Sequence, residues 1–200
     1  MSDTTFVIAI AGHSGAGKST LIRQLIAKLG NANMLQIDQY ESSSHYPPSK
    51  QWVEQGADPN EFKFPLFDSD VISLVRGQSI KHPETRESIQ PAPFLILEEP
   101  FGRGRDAIRD VIDLVVFLDT PLEVSYIRKI SRKSDFLPWE ENPELFMNHL
   151  RENMDWYLSV GRKFYLAIEE QVRKDCDLRI NGLLSTEEMA NEILKAIRQK

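Results

Sequence analysis

Eight residues near the start, Gly12-His13-Ser14-Gly15-Ala16-Gly17-Lys18-Ser19, constrain this chain more than any other stretch. They spell G-x-x-x-x-G-K-S, a spacing that wraps backbone around a phosphate. The flanks agree with it. Phe6–Ala11 is apolar and partly β-branched, the composition of a buried strand. After the octet, Leu21, Ile22, Leu25, Ile26 and Leu29 recur at helical spacing. Gly12, Gly15 and Gly17 permit the unusual dihedrals and close approach that inward-facing N–H groups require. The following helix aims its unpaired N–H groups and positive dipole end at the same anion. Lys18 reaches the β- and γ-phosphates as a compact cation, and Ser19 offers a hydroxyl to Mg²⁺. Gly12 through Thr20, including His13, Ser14 and Ala16, is therefore the expected nucleotide-binding segment. His13 occupies a variable position of the motif and is not expected to be catalytic.

The 200 residues suffice for one α/β domain with a substantial core. A net charge of −6 argues against a protein that coats nucleic acid. The single cysteine, Cys176, rules out an intramolecular disulfide or a cysteine-based zinc site and suits a reducing, cytoplasmic setting. Residues 1–11 read as a strand rather than a secretory leader, and no apolar run approaches bilayer-spanning length. Neither nucleic acid nor membrane is an expected partner; a homo-oligomer stays open.

Along the chain, Met34–Asp38 reads as a strand with a carboxylate at its C-terminal end, where ligands bind in open α/β sheets. Tyr40 leaves by the same exit. Residues 41–65 are polar and rich in Pro and Ser, with Trp52, Phe62, Phe64 and Phe67 interleaved, which favours a folded substrate-side insert. Asp68-Ser69-Asp70 should cap a helix that stops at Gly77. A polar hairpin or loop follows to Pro93. Phe94–Leu97 is a buried strand, and Glu98-Glu99 at its end fits the second nucleotide-site carboxylate. Arg103 and Arg105 in the next loop are candidate phosphate contacts. A short helical piece is expected at Asp106–Arg109, then a strand at Leu114–Asp119. A helix entered at Pro121 runs to Lys133, carrying Arg128, Lys129, Arg132 and Lys133 on or near one face. Leu137-Pro138-Trp139 breaks that pattern. A long helix from Pro143 to Lys174 is interrupted near Gly161. Its aromatics Trp156, Tyr157, Phe164 and Tyr165 read as core packing. Cys176–Ile180 is a last strand, and Ser185 with Glu188 forms a capping box for the final helix.

Apolar strands alternating with helices give a mainly parallel five-stranded sheet in a three-layer α/β sandwich, the P-loop NTPase fold with a helical lid. The expectation is one domain over residues 1–200, with the insert at about 41–93 and the lid at about 121–140.

The octet, Ile37-Asp38-Gln39-Tyr40, Asp58-Pro59-x-x-Phe62, Ile96-Leu97-Glu98, Phe117-Leu118-Asp119-Thr120 and Arg128-x-x-x-Arg132 follow the order and rough spacing of uridine kinases. The chain thus resembles the uridine kinase and phosphoribulokinase family over about residues 6–135. The resemblance implies ATP on Gly12–Thr20 and Mg²⁺ on Ser19 and Glu98. It also implies Asp38 as acceptor of the substrate hydroxyl proton, and Arg128 and Arg132 as lid arginines. Asp58 stands near the family's acceptor-binding Asp, within Ala57-Asp58-Pro59 rather than Asp-His-Pro. His82-Pro83-Glu84-Thr85-Arg86 stands where the family has Pro-x-Tyr-Asp, so Arg86, with Tyr40, Asp58 and Arg103, completes the candidate acceptor contacts. Glu98-Glu99-Pro100 replaces the usual Glu-Gly, and Ser134–Pro138 replaces an Arg-Gly stretch.

The expected function is an ATP- and Mg²⁺-dependent small-molecule kinase, phosphorylating a hydroxyl of a nucleoside, sugar or related metabolite. The alternative is a P-loop NTPase that hydrolyses nucleotide to regulate a protein partner. Against it stand the lack of an Asn-Lys-x-Asp guanine-reading segment and the long insert, which suits an acceptor site better than a switch loop.

Overall fold

The computed structural model describes residues 5–136 and 142–200. β1 (Phe6–Ala11) enters the loop and α1 (Lys18–Leu29) leaves it, as the motif demands. β2 (Ala32–Gln36) ends two residues earlier than expected, so Asp38 lies on a 3₁₀ turn, Ile37–Ser43. The insert contains α2 (Ser49–Glu54), α3 (Pro65–Val75) and a two-residue hairpin of β3 (Ile80–Lys81) and β4 (Ser88–Ile89). Pro65 at the first position starts α3, so Asp68 and Asp70 fall inside the helix rather than capping it. β5 (Phe94–Glu98) and β6 (Leu114–Asp119) follow, separated by turns and a 3₁₀ piece at Arg109–Val111 instead of a helix.

α4 (Leu122–Phe136) carries the basic pair. The expected break at Leu137-Pro138-Trp139 lies outside the described residues. α5 (Pro143–Trp156) and α6 (Arg162–Asp175) are joined by a π-helical turn, Tyr157–Gly161, which is the interruption expected at Gly161. A Cβ at Gly161 would lie 2.4 Å from the Trp156 ring, so the indole needs a glycine beside it. β7 (Leu178–Asn181) and α7 (Thr186–Ile197) close the chain, the latter through the Ser185–Glu188 capping box.

The five long strands are ordered β2-β5-β1-β6-β7 and every pairing is parallel. Residues of alternate parity point to opposite faces. Ile8, Ile10, Ile96, Val116 and Leu118 pack under α1 and α7, while Val7, Ala9, Leu95, Val115 and Phe117 pack under the insert and α6. That is the expected three-layer sandwich, and it sets the C-terminal ends of β1, β2, β5 and β6 along one edge.

Period two also separates the paired acids. Glu98 remains at the sheet edge, whereas Glu99 is fully buried. Arg105 reaches it at 2.7 Å and also reaches Asp68 on α3 at 2.8 Å, with its guanidinium 4.8 Å from the Phe64 ring. Arg105 is therefore a structural tie between the turn after β5 and the insert, not a phosphate contact. Arg105→Leu should strand Glu99 without a counter-charge and lower unfolding free energy by about 3–5 kcal/mol. The double variant Glu99→Leu/Arg105→Leu should recover most of that loss. Urea midpoints of the three proteins check this.

Candidate active site

Gly12, Gly15 and Gly17 all have positive φ, at 140°, 86° and 107°, and Gly17 caps α1 in the left-handed region. The loop is pressed against the β6–α4 junction. A Cβ on Gly15 would sit 2.0 Å from the Ser125 carbonyl oxygen, a contact only glycine permits. Thr120 Oγ1 donates to the Ala16 carbonyl at 3.0 Å, and Lys18 Nζ donates to that of His13 at 3.2 Å.

Glu98 gathers the loop's chemistry. Ser19 Oγ donates to it at 3.0 Å, Gln36 Nε2 donates at 2.7 Å, and Lys18 Nζ lies 3.4 Å away. Burial opposes its charge, but Lys18 and the two hydrogen bonds outweigh burial and hold its carboxyl below the usual range. Gln36 was not anticipated, although it stands opposite Glu98 in the parallel register. Ser19 and Glu98 together present hard oxygen donors, the kind Mg²⁺ takes alongside water and phosphate.

Asp38 lines the same cavity, which has a volume of about 990 Å³. Burial, and then the nearby Glu98 carboxylate, push its carboxyl above the ordinary value. Arg128, Lys129 and Arg132 of α4 also line it. Lys129 Nζ donates to Tyr165 Oη at 3.1 Å and sits 5.1 Å from the Trp156 ring centre. Burial, then Arg132, lowers the Lys129 pKa. His13 is buried at the base, its ring 5.7 Å from that of Tyr165 and neither ring nitrogen hydrogen-bonded. Tyr165 and Phe164 line the cavity besides packing against their neighbours, a double duty that helical spacing alone does not reveal.

Four expected acceptor contacts lie elsewhere. Tyr40 is fully buried and donates to Asp70 at 3.0 Å, tying the 3₁₀ turn to α3. The Asp58 carboxylate accepts from the Asn60 backbone N–H at 2.9 Å and caps a short turn. Arg86 is exposed at the β3–β4 turn, with a φ of 62°. Arg103 binds the carbonyls of Ile112 and Asp113 and the Asp177 carboxylate, at the N-terminal ends of β6 and β7. That is the edge of the sheet opposite the loop.

A family model described as the Phosphoribulokinase / Uridine kinase family matches residues 7–135. The chain belongs to this family. It is 26% identical to a uridine kinase of Leuconostoc citreum (strain KM20), over 96% of this chain and 97% of the relative. It is 30% identical to a uridine kinase of Ligilactobacillus salivarius (strain UCC118), over 86% and 83%. Among solved structures, shikimate kinase from Aquifex aeolicus vf5 superposes with a TM-score of 0.50 at 17% identity, covering 97% of both chains, a likeness of fold. Membership and fold together make the protein a small-molecule kinase with a hydroxyl acceptor. Among the described residues no helix is long and apolar enough to cross a membrane.

The raised Asp38 pKa carries a stability consequence. A carboxyl whose folded pKa exceeds its unfolded one stabilises the fold below the unfolded pKa and loses that contribution as pH rises through the folded pKa. Asp38→Asn should therefore have a higher melting temperature than wild type at pH 7, with the gap closing as pH falls below about 4. Thermal melts across pH check the sign.

Proposed function

We propose that this protein transfers the γ-phosphoryl group of ATP, in the presence of Mg²⁺, to a hydroxyl of a small molecule. A nucleoside, the class its uridine kinase relatives are named for, is the first acceptor to try. The observation that carries the reading is one cavity lined by Lys18, Ser19 and Glu98 and also by Asp38 and the α4 cations. In the transfer, the bond from the γ-phosphorus to the β–γ bridging oxygen breaks and a bond to the acceptor oxygen forms. The hydroxyl proton goes to Asp38, whose raised pKa makes it a stronger base than an ordinary carboxylate.

The P-loop N–H groups and Lys18 hold the β- and γ-phosphates in line with the acceptor. Ser19 and Glu98 would hold Mg²⁺, which supplies positive charge to the β- and γ-oxygens when bound. Arg128 and Arg132 neutralise the equatorial oxygens, with α4 acting as the lid and residues 41–93 as the acceptor-side insert of a single domain. All of this needs an acceptor in place, which separates a kinase from a nucleotide-hydrolysing switch.

ADP release should depend on an added acceptor. Asp38→Asn should lower acceptor-dependent kcat by about 10²–10⁴-fold while leaving ATP affinity near wild type. ADP release indifferent to every acceptor and intact in Asp38→Asn would move the protein to the regulatory NTPases.

A further inference from the structure

We propose that Lys129 is a positioning residue: seated against Tyr165 and Trp156, it latches α4 onto α5 and α6 and so aims Arg128 and Arg132 at the transferred phosphoryl group. The inference rests on the kinase reading and extends it to a charged residue that the transfer itself does not use. Three cations of α4 line the cavity, but they are not equivalent. Arg128 and Arg132 are exposed, whereas Lys129 is half-buried. Its Nζ donates to Tyr165 Oη at 3.1 Å and lies 5.1 Å from the Trp156 ring centre and 5.8 Å from that of Tyr165. An ammonium drawn out of water is attracted to aromatic faces, most strongly to indole. One turn earlier on α4, Tyr126 stacks on Tyr157 with ring centres 4.0 Å apart. Tyr126 and Lys129 are three residues apart, so both contacts lie on one face of α4.

The helix has need of such a seat. None of Leu122, Val124, Ile127 and Ile130 is fully buried, and Ile127 is 65% exposed, so apolar burial holds this part of α4 weakly. The seat is held in turn. Trp156 ends α5 beside Gly161, whose missing Cβ leaves room for the indole, and it meets Tyr165 edge-on at 5.7 Å. Tyr165 is buried, and its ring also meets that of His13 in the phosphate loop at 5.7 Å. The ring that receives the lid lysine therefore touches the loop as well. Arg128 precedes Lys129 by one residue and Arg132 follows it by three, so fixing the Lys129 side chain fixes where both guanidiniums stand relative to the loop. A misplacement of about 1 Å can cost about a hundredfold in rate, which makes a residue of this kind visible in kcat.

Two readouts on the full chain test this. ADP release with Mg-ATP and uridine gives kcat and KM, and hydrogen exchange followed by mass spectrometry reports on α4 without turnover. Lys129→Met keeps the aliphatic stem and removes the charge. It should lower kcat about ten- to a hundredfold, with KM for ATP within about twofold of wild type. Tyr165→Phe removes one hydroxyl from an otherwise unchanged ring and should lower kcat about three- to tenfold. The double variant should be no slower than Lys129→Met, because both changes break one contact. Lys129→Arg, which can also donate to Tyr165 and stack on Trp156, should bring kcat back to within about threefold of wild type. In Lys129→Met and in Tyr165→Phe the α4 amides should exchange about three- to tenfold faster, while those of β1 and β5 keep wild-type rates. A loss of kcat in Lys129→Met that Tyr165→Phe does not share would mean that the lysine acts on the phosphates itself, and overturns the inference. Losses that multiply in the double variant, or faster exchange throughout the sheet, overturn it too. If wild-type ADP release ignores uridine, the reading of a nucleoside acceptor falls and exchange decides the latch alone: unchanged α4 rates in both variants overturn it, and faster ones confined to α4 uphold it.

Discussion

A loop that turns its N–H groups toward an anion has no side chains to spare for holding itself in place, and the rest of this molecule supplies the support. Thr120 fixes the Ala16 carbonyl, the Ser125 carbonyl occupies the space a Gly15 side chain would need, and Lys18 closes on the His13 carbonyl. Two of these three partners lie at the β6–α4 junction, more than a hundred residues away in sequence. The sheet makes the meeting possible, because β6 pairs directly with β1 in parallel and delivers its end beside the loop. The glycines are thus one half of a fitted contact whose other half is backbone and a hydroxyl.

The adjacent acids after β5 show how a strand's alternation assigns different chemistry to neighbours. Glu98 is drawn toward Ser19, Gln36 and Lys18, which favour its ionised form. Glu99, one residue on, is buried against Arg105 and fastens the insert to the sheet. Asp38 is the counterpart. It lies near Glu98 without an equivalent set of donors, so burial and like charge raise its pKa. A carboxylate that is poorly solvated in the folded state costs stability, and the same poor solvation strengthens it as a base.

Much of this was legible in the sequence, because it rests on local rules. Period and composition placed the five strands, the P-loop fixed α1, and Ser185–Glu188 fixed the last helix. The errors arose where tertiary contact decides. Order along the chain suggests Tyr40, Asp58, Arg86 and Arg103 as acceptor contacts, yet each side chain goes where the fold offers a partner or solvent. Arg103, for example, finds four acceptors at the opposite edge of the sheet. Conversely, Gln36 and the cavity faces of Phe164 and Tyr165 gain their positions from strand register and helix docking, which no spacing in one segment encodes.

Phe62, Phe64 and Phe101 belong to the large core cluster as well as to the cavity lining. All three are buried, so they reach the cavity only at an edge and owe most of their surface to the core. A lineage seeking a new acceptor could not freely exchange these rings, since each change would first be paid in fold stability. Divergence would instead run through Tyr46, an exposed residue of the same lining. A single rim position then becomes the inexpensive route by which such an enzyme changes diet, and the deep rings become an inheritance that stability conserves on behalf of chemistry.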